Sequence, residues 1–212
     1  MTAPTLPNTA VRTDEDLLVA AERALRAPLG VLRVLVEGVG GDVRRRATRE
    51  LDRVERAAAD MARVAHPREL RPVHATMAEI VRAVRESLDV SERRRCHFVV
   101  DAPGLVLETD GRLLARALVR AAADRLERRE DAELMVHAHA DADSATFSLI
   151  DATPPSGDPL AQVSAATLAE TLLVRDAARL GGRAALHCAG DHRCAVVVLP
   201  LDPAAKAGGD EA

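Results

Sequence analysis

Residues 22–29 read Glu22-Arg23-Ala24-Leu25-Arg26-Ala27-Pro28-Leu29. They sit inside a run whose apolar residues, Leu18, Ala21, Leu25, Pro28, Leu32, Leu35 and Val39, recur at alternating steps of three and four, the rhythm of a seam along one helix face. A proline inside such a helix removes a backbone hydrogen bond and crowds the preceding turn, so Pro28 asks for a reason. Gly38, Gly40 and Gly41 are expected to end this helix, and Asp42 to cap the next. The same rhythm returns at Ala47, Leu51, Val54, Ala58, Met61 and Ala65.

Two such helices joined by a glycine turn make an antiparallel hairpin over residues 14–67, after an N-terminal stretch, 1–13, with no apolar run. A two-helix hairpin leaves its apolar stripe uncovered. Pairing of two hairpins into a four-helix bundle closes the stripe and makes the chain a homodimer; packing onto the chain's own second domain is the alternative.

Pro67 breaks the second helix, and residues 68–72 read as a linker. The pattern then predicts a helix over 75–88, strands over 97–101 and 105–108 around Pro103-Gly104, and a helix over 111–128. Beyond them it predicts strands over 134–140 and 146–151, a helix over 165–180 stopped by Gly181-Gly182, and a hairpin of 183–188 with 194–199. This order makes residues 73–202 an α/β sandwich with helices on one sheet face, the whole chain α+β, and 203–212 a polar tail.

Of the 212 residues, 48% are hydrophobic and 29% charged, which fits a folded chain and excludes a disordered one. Aromatic residues make up 1%, with no Trp and no Tyr, so stacking platforms for single-stranded nucleic acid are nearly absent. A net charge of -4 and a pI near 6.0 give no global basic field. Arg44-Arg45-Arg46 is followed by Glu50, Asp52 and Glu55 and reads as a solvated charged face, which makes nucleic acid an unfavoured partner. With neither a signal peptide nor a membrane span in view, the expected location is the cytoplasm. Cys188 and Cys194 flank a turn beside His187 and His192, but their spacing matches no zinc pattern, so no metal site is assigned. His137 and His139 alternate along one strand, either as a ligand pair or as solvated strand residues.

Leu25, Arg26, Pro28 and Leu29 resemble the phosphoacceptor box of bacterial sensor histidine kinases, His-Glu-Leu-Arg-Thr-Pro-Leu. Arg23 stands at the histidine and Ala24 at its acidic neighbour. The element order after Val73 resembles the ATP-binding domain of the same family. So do Leu70-Arg71-Pro72-Val73, Asp110-Gly111-Arg112-Leu113-Leu114, Leu180-Gly181-Gly182-Arg183 and Val198-Leu199-Pro200. The resemblance covers about residues 14–202 and supplies the reason for Pro28.

It also implies where chemistry is missing. Arginine stays protonated and cannot accept a phosphoryl group, and residues 14–65 contain no histidine. The family's metal-binding helix carries two asparagines, which fall here at Arg120 and Asp124; a carboxylate is a suitable hard ligand, a guanidinium is not. The family's adenine-contacting Asp-x-Gly-x-Gly is Asp151-Ala152-Thr153-Pro154-Pro155, with Asp151 kept and both glycines replaced. Asp151 is thus a remnant nucleotide contact or a strand-end residue. The second glycine-rich turn appears as Thr167-Leu168-Ala169.

The resemblance therefore implies a non-catalytic relative of these kinases, with no resident cofactor and ATP with magnesium disfavoured. Its partners would be a second copy and a response-regulator receiver domain or a kinase, met through Arg23, Ala24, Leu25, Arg26 and Leu29. The alternatives are a divergent kinase or small phosphotransfer protein that still binds nucleotide, and a structural or DNA-associated dimer.

Overall fold

A computed structural model describes residues 69–128, 131–152, 167–189 and 192–201, together with single helical positions at 28, 31, 32, 41, 47 and 54. The predicted hairpin over 14–67 otherwise lies outside the described residues. Pro28 is helical and buried, Leu32 half-buried and Val31 exposed, which suits one covered face. Gly41 is helical too, so the expected turn does not run through it; glycine tolerates helical angles at a cost of about 1 kcal/mol relative to alanine.

The chain enters its first sheet at β1 (Val73–Thr76), which pairs antiparallel with β3 (Val106–Thr109). Helix α1 (Met77–Ser87) follows without a loop because Thr76 caps it. The Thr76 hydroxyl accepts from Glu79 N at 3.1 Å while the Glu79 carboxylate accepts from Thr76 N at 2.8 Å. The sequence pattern starts this helix at Ala75; the strand pairing with β3 takes Ala75 and Thr76 instead. A second capping box, Asp89 with Glu92, starts a short helix that the pattern does not anticipate, α2 (Val90–Arg94).

Strand β2 (Cys96–Val100), helix α3 (Gly111–Arg128), strands β4 (Leu134–Ala140) and β5 (Ser144–Asp151), helix α4 (Leu168–Arg179), and strands β6 (Arg183–Ala189) and β7 (His192–Pro200) complete the domain. The main sheet runs β2-β4-β5-β7-β6, with β2 parallel to β4 and every other pair antiparallel. The β4–β5 turn is held by Asp141, whose carboxylate accepts from Asp143 N and Ser144 N at 2.9 and 2.8 Å; these bonds hold that carboxyl below its ordinary value.

Alternate residues of the three central strands, Leu134, Val136 and Ala138, Ala145, Phe147 and Leu149, and Ala195, Val197 and Leu199, form the buried sheet face. Ile80, Val84, Leu114, Leu118, Leu126 and Leu173 from the helices join the same core, so the predicted sandwich with helices on one face is observed. At the end of α4, Gly181 takes a positive φ of 78° and Gly182 N donates to Ala177 O at 3.0 Å, closing the helix. A Cβ on Gly182 would collide with Val198 O, so that glycine is there for the close passage of β7.

Candidate functional site

Helix α3 carries most of the site. Leu114, Leu118, Ala121 and Arg125 fall at steps of four, three and four on its buried stripe, which places a guanidinium where the rhythm calls for an apolar side chain. Arg125 is only 4% exposed. Its Nη1 donates to Leu149 O at 3.0 Å, to Asp151 Oδ1 at 3.2 Å and to Arg193 O at 3.2 Å. The side chain thus ties α3 to the ends of β5 and β7, and Asp151, its side chain 13% exposed, is its counter-ion.

The neighbouring stripe of α3 holds Arg120, Asp124 and Arg128 at successive steps of four. Asp124 Oδ2 lies 3.1 Å from Arg128 Nε in an i,i+4 pair whose geometry is charge pairing rather than an aligned hydrogen bond. Arg120 Nη1 lies 3.6 Å from Asp176 Oδ2 on α4, and Arg179 Nη1 lies 3.7 Å from the other oxygen of the same carboxylate. Burial raises the Asp176 pKa above its ordinary value although Arg120, Arg179 and Arg175 all pull it down. The two directions are compatible: contacts of this length recover only part of what removal from water costs.

The start of α4 is closed by its own residues. Glu170 N donates to Thr167 Oγ1 at 3.1 Å, and Thr167 N donates to the fully buried Glu170 carboxylate at 3.1 Å. A helix N-terminus otherwise offers free N–H groups and a positive dipole end to an anion; here a hydroxyl and a carboxylate take that role.

Beside Arg125, burial pushes the Cys194 thiol up, opposed by Arg125 and reinforced by Asp151. Register separates the two cysteines of the β6–β7 hairpin. Cys194 is opposite His187 and shares its face, whereas Cys188 pairs in register with Arg193. His137 and His139 do share a face, with ring centroids 5.2 Å apart. Their face is half-buried rather than open, and His137 Nε2 donates to Asp101 Oδ2 at 2.8 Å. Among the described residues no three His, Cys, Asp or Glu side chains are grouped to hold a metal ion.

No protein-family model matches the sequence, and no curated protein matches it. Solved structures do match. The histidine kinase AdeS of Acinetobacter baumannii superposes with a TM-score of 0.61 at 10% identity, over 84% of this chain and 97% of that one. Histidine kinase ThkA, solved in complex with response regulator protein TrrA, gives 0.67 at 14% identity over 89% of this chain and 62% of that one. The chain has the fold of the sensor histidine kinase core. A third match within that fold, full-length ShkA in complex with AMPPNP, gives 0.51 at 17% identity, over 88% of this chain and 46% of that one.

Of the residues singled out in the sequence, Arg120, Asp124 and Asp151 lie on the histidine-kinase sandwich, and each has a partner of opposite charge within the chain. Arg23, Ala24, Leu25, Arg26 and Leu29 lie outside the described residues. Sequence reasoning misses Arg125. Its signal is a charge on an apolar stripe, which in a folded chain requires a buried counter-ion. Among the described residues no helix is long and apolar enough to cross a membrane.

Proposed function

We propose that this chain is a histidine-kinase-like signalling protein that has given up phosphotransfer. It would pair as a homodimer through its helical hairpin and dock a response-regulator receiver domain or a kinase. The observation that carries the reading is the buried pair between Arg125 and Asp151. The carboxylate that the resemblance assigns to adenine is held by a guanidinium from the adjoining helix, so a base would have to displace a buried cation to reach it.

Three further observations point the same way. Arg128 beside Asp124 repels a divalent cation from the carboxylate that stands at one of the family's two asparagine positions on α3. The Glu170 carboxylate at the start of α4 repels phosphate. Thr153 and Pro155 replace the glycines that would let the backbone bend closely round a nucleotide. The residues present therefore do not fit ATP with magnesium, and no phosphoryl step is assigned to the chain. With Arg23 at the phosphoacceptor position there is no imidazole to phosphorylate.

Docking remains available without chemistry. Arg23 and Arg26 would offer guanidinium groups to the acidic pocket of a receiver, where a charge-assisted pair binds and transfers nothing. ThkA was solved with a response regulator, which makes a receiver the first partner to try. Incubation with labelled ATP, or with a phosphorylated receiver, should leave the protein unlabelled, and Arg23→Glu should weaken receiver binding at low salt. A stable acid-labile label on the wild-type chain would refute the reading.

A further inference from the structure

Strand β2 is an edge of the five-stranded sheet. Its bonding parity is fixed by its neighbours: Leu134 N donates to Arg95 O, and Asp101 N donates to Ala138 O, each at 2.9 Å. Odd-numbered residues of this stretch thus turn their N–H and C=O groups toward β4. Cys96, Phe98 and Val100 turn theirs to the outer side, where no described strand pairs with them.

The composition of β2, Cys-His-Phe-Val-Val, contains no Pro, Gly or Lys to blunt an edge, and Val99 on the helix-free face is 40% exposed. The flanks are of opposite sign. Arg94, exposed, and Arg95, whose guanidinium donates to Ala132 O and Leu126 O of its own chain, precede the strand, and Asp101, whose exposed carboxylate also accepts from His137, follows it. Two copies of β2 laid antiparallel about Phe98 would bring Arg94 and Arg95 of one beside Asp101 of the other at both ends, whereas a parallel pairing sets like charges together.

We propose that β2 is a docking edge for a second copy of this chain, joining two five-stranded sheets into one across a two-fold axis at Phe98. Cys96 faces Val100 of the other copy and Phe98 faces Phe98, giving three pairs with outward N–H and C=O groups and about six main-chain hydrogen bonds. On the helix-free face His97 lies opposite Val99. This strand and the helical hairpin are different stretches of the sequence, and each would pair copies of the chain by its own contacts.

Cysteine trapping tests the register. In the variant His97→Cys/Val99→Cys the two new thiols occupy exposed positions that face each other across the axis in a non-hydrogen-bonded pair. Their Cα atoms would be about 4.5 Å apart, inside the range a disulfide spans. Mild oxidation of the full chain should give a cross-linked product whose peptide map joins position 97 of one copy to 99 of the other. Val99→Lys in the otherwise wild-type chain should lower the concentration-dependent mass in sedimentation with an unchanged circular dichroism spectrum. Cross-links of 97 to 97 and 99 to 99, or no cross-link from a folded double variant, would overturn the proposal. Loss of hairpin pairing alone would leave the 97-to-99 link in place, so the two interfaces fail separately.

Discussion

Replacing Arg125 with alanine removes one donor from three acceptors at once: Leu149 O, Asp151 Oδ1 and Arg193 O. A neutral hydrogen bond is worth about 1 kcal/mol net and one to a charged group about 1.5–3 kcal/mol, and breaking a buried ion pair from one side costs about 3–5 kcal/mol. The Asp151 side chain is 13% exposed, so water reaches the carboxylate left behind and holds the expected loss near the lower figure, about 3 kcal/mol. For a domain of this size that corresponds to a fall in Tm of roughly 10 °C. Arg125→Lys keeps the charge but not the fork, and should lose about half as much. The double variant Arg125→Met/Asp151→Leu removes both charges and should recover most of the loss. With no Trp and no Tyr in the chain, urea unfolding is best followed by far-ultraviolet circular dichroism. A loss below about 1 kcal/mol for Arg125→Ala at unchanged urea dependence, or a double variant as unstable as the sum of the singles, would refute the buried-pair argument.

Asp176 gives a pH dependence of definite sign. Its pKa is raised by burial, so the folded state holds that proton more tightly than the unfolded chain does. Its contribution to stability is full below the ordinary aspartate value and is lost as pH rises through the raised one; Asp176→Asn should flatten that segment of a stability–pH curve. Cys96, buried and beside Glu92, has its thiol pushed up to about 11. Peptide mapping after alkylation at neutral pH should find it unmodified in the folded protein and modified in urea. Gly182→Ala drives a methyl into Val198 O and should destabilise by about 2–4 kcal/mol in thermal unfolding, whereas Gly104→Ala, with open space around it, should change stability by less than about 0.5 kcal/mol.

The long periodic elements are legible from residues alone. The bounds of α3 and β4 coincide with the predicted ones because their apolar spacing and flanking turn residues agree. Strand β1 is not legible, since Val-His-Ala-Thr has no alternation of its own and is defined by pairing with β3, some thirty residues later. Both capping boxes, Thr76 with Glu79 and Asp89 with Glu92, are readable signals that move one helix start and reveal α2. At the site, sequence places Arg120, Asp124 and Asp151 through resemblance. That Asp151 is held by Arg125 depends on the packing of α3 against β5 and β7, which spacing along the chain does not encode.

Calorimetric titration of the full chain with ATP and magnesium tests the central claim most directly. Because each candidate contact already has an internal partner, the account predicts no saturable heat. Saturable binding that Asp151→Asn abolishes would show that the nucleotide displaces Arg125, and would contradict it.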